Sequence, residues 1–316
     1  MLTAWCEVGG RAQFVADGIE GTVQNSLVEA GVEILAVETT QIEGLVAECR
    51  RGGACATALD GYHFSREDVM ALQRVGSVLA LDDLAGPLSE ADLVVNQNLD
   101  FPRNRYSAAS GTVLIGSDYV LLPPEFRQAL ETVSTPDRER VLVTFGGSDP
   151  TRLSLPVCEE LCRRLSADYS IDLILGPGVD SEVADRCVEF SQQVGCQRLA
   201  VHKDVNCMSI LMGSASVAIS AAGSTTWELL AMGVVPVLAA VSENQRSVAE
   251  STAARGVAVS AGSDPVLLVR ECQQLLTNQE RRMKFSRRGQ ELIDGRGVWR
   301  VMDDWLGKIE RSKTAP

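Results

Sequence analysis

Histidine is nearly missing from this 316-residue chain: only His63 and His202 occur, far apart in the sequence. That argues against a histidine-rich metal centre, although carboxylates could still hold a cation. No CxxC pair exists. The nine cysteines are scattered, and several, such as Cys158 and Cys162, lie inside apolar periodic runs. This pattern reads as free thiols in a reducing cytoplasm, not as a disulfide scaffold or a structural zinc site. No run approaches the ~18 apolar residues of a membrane-spanning helix. The opening MLTAWCEVGGRAQFVADG lacks the basic flank and apolar stretch of a signal peptide, and it begins directly in a helix-like pattern. There is no low-complexity segment and no short-period repeat.

What is present fits a folded protein. Hydrophobic residues make up 45% of the chain and charged residues 22%, too apolar and too mixed in charge for a disordered polypeptide. The length suggests two domains of ~150 residues each. With 29 basic and 42 acidic residues the net charge is −13, so nucleic acid and anionic membranes are repelled at long range. Residues 1–139 hold 9 basic against 21 acidic side chains, a net of −12; residues 140–316 hold 20 against 21, a net of −1. An anionic ligand meets less repulsion in the second half.

Short, continuous, β-branched apolar runs alternate with amphipathic stretches of helical length. Strands are expected at 12–16, 32–37, 55–60, 78–81, 93–96 and 112–115, then at 140–145, 171–175, 198–201, 217–220, 234–238 and 257–260. Helices are expected at 21–30, 41–51, 65–75, 153–166, 181–194, 205–212, 224–232, 244–255 and 265–277, with two more towards the C-terminus. Continuous rather than alternating apolar runs suit parallel strands covered on both faces. The alternation predicts an α/β fold with two doubly wound, Rossmann-like sheets. The expected division is residues 1–122, a hinge at 123–139 carrying two prolines, and residues 140–316. A ligand cleft is expected at the carboxyl ends of the strands.

Two strand-to-helix turns carry the chemistry of the second half. In AISAAGSTTWE a strand ends in small residues, Gly223 is followed by Ser224, Thr225 and Thr226, and Glu228 stands one turn into a helix. Small residues let backbone N–H groups approach a diphosphate, and an acidic residue at this place can accept from ribose hydroxyls. The same residues also spell a capping box with no ligand role. The loop FGGSDP places Gly146, Gly147, Ser148 and Asp149 after another strand. Asp149 has two readings, a cap for the next helix or a partner for a ligand hydroxyl. In the first half, polar residues follow successive strands: Asp60, Tyr62 and His63, then Asp82 and Asp83, then Asn96 and Asn98. His63 is the candidate general base; helix capping and turn formation account for Asp83 and Asn98. His202 reads as a loop residue near a base or ribose.

The ordered series DGYHF, LALDDLA, VVNQN, IGSDYVLLPPEF, VTFGGSDP, AISAAGSTTWELLAMGVVPVL and ENQ resembles the UDP-2,4-diacetamido-2,4,6-trideoxy-β-L-altropyranose hydrolase family of pseudaminic acid biosynthesis. It also resembles the related spore-coat polysaccharide proteins. More distantly it is similar to the peptidoglycan N-acetylglucosaminyltransferase of the GT-B class. The resemblance spans nearly the whole chain. It implies a GT-B architecture with UDP held by the second domain. Gly147, Ser148, Gly223, Ser224 and Thr225 would contact the diphosphate and Glu228 the ribose, with Gly146, Asp149 and Thr226 also among the nucleotide-binding residues. Asn244 and Gln245 would lie near the phosphates and sugar, Asn96 and Tyr119 at the sugar, and Tyr62 beside the scissile bond. Asp60 and His63 complete the catalytic candidates. The implied reaction is hydrolysis of the anomeric C–O bond with inversion, releasing UDP and a free amino sugar in the cytoplasm, without metal or other cofactor. The alternatives are a GT-B glycosyltransferase and a nucleotide-sugar-binding homologue with impaired catalysis.

The family opens on a strand and a GxGHxxR turn that this sequence does not contain, and Pro123 stands where the family has arginine. Three expectations follow: a chain that starts downstream of that strand, a protein that binds without turnover, or catalysis from Asp60 or His63. The first is favoured. A doubly wound sheet without its first strand is expected to leave open edges, to be covered by a dimer or partner strand.

Overall fold

The computed structural model describes residues 1–16, 21–36, 42–130, 139–193, 198–240 and 242–314. The chain divides into two compact units, Leu122–Gly295 and Met1–Leu121 joined by Arg296–Pro316.

Within Met1–Leu121 run α1 (Leu2–Glu7), β1 (Gln13–Ala16), α2 (Gly21–Glu29), β2 (Glu33–Ala36), α3 (Ile42–Gly52), β3 (Ala56–Asp60), α4 (Arg66–Gln73), β4 (Ser77–Leu81), β5 (Leu93–Asn96) and β6 (Thr112–Ile115), with short 3-10 turns at Pro87–Glu90, Arg103–Tyr106 and Ser117–Tyr119. All pairings are parallel, in two sheets: β1–β2, and β3–β4–β5–β6. Among the described residues no strand pairs with the outer edge of β1 or of β3. Leu79, Leu93, Val95 and Leu114 point to one face of the larger sheet; Leu59, Val78, Ala80 and Val94 point to the other. Buried strands of this kind show no polar alternation, which made them readable as continuous apolar runs.

The other unit contains α5 (Pro124–Leu130), β7 (Arg140–Thr144), α6 (Ser154–Arg164), β8 (Ser170–Leu175), α7 (Ser181–Gln192), β9 (Leu199–Lys203), α8 (Met208–Ser214), β10 (Val217–Ala221), α9 (Thr225–Ala231), β11 (Val235–Ala239), α10 (Glu243–Ala254), β12 (Val259–Ser260), α11 (Pro265–Thr277) and α12 (Gln279–Leu292). Its six parallel strands run β12–β11–β10–β7–β8–β9. Every residue of β10 and β11 is buried.

Two features differ from the expected division. The stretch expected to be a hinge holds α5, because Pro124 sits at a helix start, where its missing N–H costs nothing. Residues 131–138 lie outside the described residues. The last helix, α13 (Gly297–Thr314), belongs to the first unit although its sequence follows the second. Val298, Val301, Met302, Trp305 and Ile309 join the core formed by Leu79, Leu93 and Val95, and Trp305 Nε1 donates to Ser77 Oγ at 3.1 Å. Trp305→Ala should therefore destabilise the first unit by about 3–5 kcal/mol. Chemical unfolding followed through that unit's signals measures this; a loss under about 1 kcal/mol would show that α13 is not part of its core.

His202 is a strand residue, not a loop residue. It lies in β9, and its Nε2 sits 2.7 Å from Asp172 Oδ1, while Arg140 donates to Asp172 Oδ2 at 2.8 Å. Three adjacent strands thus share a cross-strand cluster around one buried carboxylate.

Candidate functional site

In the second unit the chain steps outward from β7 through β8 to β9, then returns to β10 and steps the other way. The reversal falls between β7 and β10. Connections leaving the carboxyl ends of these two strands turn to opposite faces and open a crevice, the usual ligand position in such sheets. The glycine loops after β7 and β10 are the loops that border it.

After β10, the Gly223 N–H bonds back to the Ala221 carbonyl at 2.9 Å, and the Thr226 and Trp227 N–H groups bond to the Gly223 and Ser224 carbonyls at 3.0 Å. The N–H groups of Ser224 and Thr225 open the helix and have no intrahelical acceptor by position. Ser224 makes no side-chain cap bond, so the capping-box reading is not realised. Gly223 has open space where a Cβ would stand, and Ser224 is exposed. Thr226 is fully buried, and its Oγ1 has no hydrogen-bond partner.

After β7, Gly146 has φ +76°, and Gly147 and Ser148 are exposed. Asp149 is buried, and its two carboxylate oxygens accept from Leu153 N–H at 3.0 Å and Ser154 N–H at 2.9 Å. Both oxygens are thus engaged at the start of α6, which favours the capping reading of Asp149. The loop is also buttressed by a turn that sequence reasoning missed. Gly178 N–H donates to the Gly147 carbonyl at 2.8 Å. A Cβ on Gly176 would strike the Gly146 carbonyl oxygen and stand 2.5 Å from the Gly147 oxygen and 2.6 Å from its Cα. The GPG sequence after β8 was the available signal.

Glu228, in the first turn of α9, is half-buried. Desolvation, and after it the charge of Glu125, push its pKa up to about 7. Glu125 comes from α5, and its Oε2 accepts from Ser209 N–H at 3.3 Å. Asn244 and Gln245 lie in the first turn of α10, after β11, the strand beside β10. The Asn244 side chain is outside the described residues.

The first unit gathers Asp60, Tyr62, His63 and Asp83 at the carboxyl ends of β3 and β4. Tyr62 is 73% exposed and donates to Asp83 Oδ2 at 3.0 Å. Desolvation, the Asp83 bond and nearby carboxylates push its pKa up to about 12, so at neutral pH it is a donor and not a base. Desolvation and then the Asp83 charge raise the pKa of Asp60, although its side chain still touches solvent. His63 is exposed and packs on Phe64, with ring centroids 4.0 Å apart. Gly61, at φ +149°, leaves room for that ring: a Cβ there would be 2.9 Å from His63 Cε1.

Asn96 and Tyr119 are not brought together. Asn96 is 1% exposed; its Nδ2 donates to Tyr106 Oη at 3.0 Å and its Oδ1 accepts from Asn98 N–H at 2.9 Å. Tyr119 packs on the core at the other sheet face, with α13. Among the described residues no group of three or more His, Cys, Asp or Glu side chains could hold a metal ion. Nor is any helix there long and apolar enough to cross a membrane.

No family model matches the chain. The Bacillus subtilis spore coat polysaccharide biosynthesis protein SpsG is 26% identical over 219 residues, which are 67% of this chain; the chain spans 63% of that relative's length. Among solved structures, Anabaena HepE in complex with UDP-glucose superposes with a TM-score of 0.64 at 11% identity, covering 98% of this chain and 94% of that one. Acinetobacter baumannii MurG superposes with a TM-score of 0.63 at 15% identity, covering 97% and 94%. The chain therefore has the parallel α/β fold of the GT-B type, with two Rossmann-like units, and is homologous in sequence to a spore-coat polysaccharide biosynthesis protein.

Proposed function

We propose that this protein is a UDP-sugar hydrolase of surface-polysaccharide or nonulosonate biosynthesis, acting in the cytoplasm, with UDP held by the second unit. The observation that carries this reading is the pair of small-residue loops at the strand-order reversal, with an uncapped Ser224 and the Glu228 carboxyl beside them. Backbone N–H groups at the exposed Gly147, Ser148 and Ser224, and at Thr225, offer donors to a diphosphate without a metal, and Gly223 leaves the space for its approach. Glu228 accepts from ribose hydroxyls, and Asn244 and Gln245 lie near the phosphates and sugar. Homology to SpsG and the UDP-glucose complex of HepE support a nucleotide-sugar ligand. The order of motifs favours the pseudaminic acid hydrolase family in particular.

In the first unit Tyr62, held protonated, donates towards the sugar or the leaving oxygen. Asp60, raised in pKa, and His63 are the groups that would take a proton from water. The anomeric C–O bond breaks, the electron pair leaves with UDP, and the water oxygen bonds the anomeric carbon. A GT-B transferase would share the nucleotide site and differ in needing an acceptor. The −12 charge of residues 1–139 disfavours docking on anionic lipid, where such an acceptor would be presented.

Incubation with UDP-sugars, with and without acceptors, decides between these. UDP release without acceptor is expected; release only with acceptor would sink the hydrolase reading, and binding with no turnover would favour a binding homologue. Tyr62→Phe should lower turnover about tenfold to a hundredfold while leaving UDP affinity within about twofold. Among the described residues the outer edges of β1 and β3 are unpaired, which supports a strand supplied by a partner or second copy. Sedimentation showing only monomer at all concentrations would remove the second copy.

A further inference from the structure

Arg152 is the one cation in either glycine loop: residues 145–153 after β7 hold Asp149 and Arg152, and residues 222–224 after β10 hold no charge. The backbone that carries it is fixed. Arg152 has φ +53° and Asp149 φ +41°, a left-handed conformation that favours glycine. At other residues it persists only where the surroundings impose it. Here the Arg152 N–H bonds to the Asp149 carbonyl at 3.0 Å, Asp149 Oδ1 accepts from Leu153 N–H at 3.0 Å, and Leu153 is buried in the core of the unit. With Asp149 and Leu153 anchored, the exposed Arg152 side chain leaves the loop from a set place. It reaches the turn after β8, where its Nη2 stands 3.5 Å from Asp180 Oδ2. Two residues before Asp180, the Gly178 N–H donates to the Gly147 carbonyl at 2.8 Å, and the Gly178 Cβ position lies 3.5 Å from Ser148 Cβ. The guanidinium is therefore held on the turn that lies against the exposed Gly147–Ser148 backbone. The pair is loose. Its length exceeds the about 2.7–2.9 Å usual between a cationic donor and a carboxylate, and the two side chains are 62% and 50% exposed. Exposed pairs of this kind contribute little. The other oxygen, Asp180 Oδ1, caps α7, accepting from Glu182 N–H at 2.9 Å and Val183 N–H at 3.4 Å.

We propose that Arg152 is a ligand-binding residue of the nucleotide site and that Asp180 tunes affinity by competing for it: the guanidinium leaves Asp180 and donates to phosphate oxygen when the nucleotide enters. This rests on the nucleotide reading above. The exchange favours the ligand. The planar fork of arginine matches two phosphate oxygens at once, and bonds of that kind are about twice as strong as neutral ones. Asp180 offers one oxygen at long range, because the other is engaged by the α7 N–H groups. When Arg152 turns away, Asp180 keeps its cap and its contact with solvent, so no buried charge is left unpaired.

Calorimetric titration with UDP at low ionic strength tests this on the full chain. Arg152→Gln keeps a polar side chain of similar reach and removes the charge; it should weaken UDP binding about tenfold or more and flatten the dependence of affinity on salt. Asp180→Asn keeps the Oδ1 cap and removes the competing charge; it should bind UDP about twofold to fivefold tighter than wild type. The two changes thus act in opposite directions, and the double variant should bind like Arg152→Gln to within about twofold. If Asp180→Asn tightens binding as much in the Arg152→Gln background, Asp180 repels the ligand directly and the competition is overturned. Melting temperatures of both single variants without UDP should stay within about 2 °C of wild type, because an exposed pair contributes little. A fall of several degrees with weaker binding in both variants would assign the pair to holding the loops together, and overturns the proposal. UDP binding unchanged by Arg152→Gln overturns this proposal alone. Wild-type protein that binds no UDP overturns the nucleotide reading and this proposal with it.

Discussion

Gly176→Ala is expected to weaken UDP-sugar binding at least tenfold and to lower the melting temperature by several degrees. The added Cβ meets three backbone atoms of the Gly146–Gly147 loop, at most 2.6 Å away. Backbone cannot rotate aside as a long side chain can, so the FGGSDP loop must shift. Overpacking of this kind costs about 1–3 kcal/mol, and each kcal/mol moves the melting temperature of a unit this size by about 2–4 °C. A displaced loop also loses aligned donors, and 1.4 kcal/mol of lost binding is already tenfold. Gly223→Ala is the matched comparison. Nothing lies within 4 Å of its Cβ position, so stability should stay unchanged while affinity falls, since the methyl occupies space where the ligand would approach. Calorimetric titration with UDP and thermal unfolding of both variants check this. Unchanged affinity in Gly176→Ala would show that the loop does not hold the ligand.

Glu228→Gln should separate binding from stability in opposite directions. The folded-state pKa of Glu228, about 7, lies above its unfolded value, so the native protein holds the extra proton between roughly pH 4.5 and 7. Its favourable contribution is complete below the unfolded pKa and is lost as pH rises through 7. At pH 8 the half-buried carboxylate is a liability in the ligand-free protein, and the neutral amide should stabilise it by about 1–2 kcal/mol. At pH 4.5 the two proteins should melt together. UDP affinity at pH 8 should fall about tenfold to a hundredfold, since hydrogen bonds to a charged acceptor contribute about 1.5–3 kcal/mol each. Melting curves at both pH values and titration with UDP test the two halves. A variant less stable at pH 8 would show that Glu228 is satisfied internally and is not held for a ligand.

The strands were legible because a parallel strand buried on both faces has no polar alternation to confuse it. Residues 93–96 and 112–115 were placed to the residue, and α11 likewise, with Asp264 accepting from Val266 N–H and Pro265 at the helix start. The glycine loops after β7 and β10 were legible for the same local reason, small residues between a strand and a helix. Ser224 and Asp149 were ambiguous. Each sequence fits both a cap and a ligand contact, and only the hydrogen bonds separate them: Asp149 caps, Ser224 does not. Asn96 could not be read as a framework residue, because its partner Tyr106 is brought to it by folding.

By itself the sequence determined the α/β class, the positions of nearly all strands and helices, and the two glycine loops proposed to hold the nucleotide, because hydrophobic period and turn chemistry act over a few neighbouring residues. Tertiary structure decided what depends on residues distant along the chain. It returned α13 to the first unit, 176 positions after Leu121 in sequence, because Trp305 and its neighbours complete that unit's core. It set Gly176 against Gly146 and Gly147, and it brought Glu125 of α5 to the Ser209 N–H at the start of α8. Electrostatics and steric contact depend on distance in space, and that distance exists only once the chain has folded.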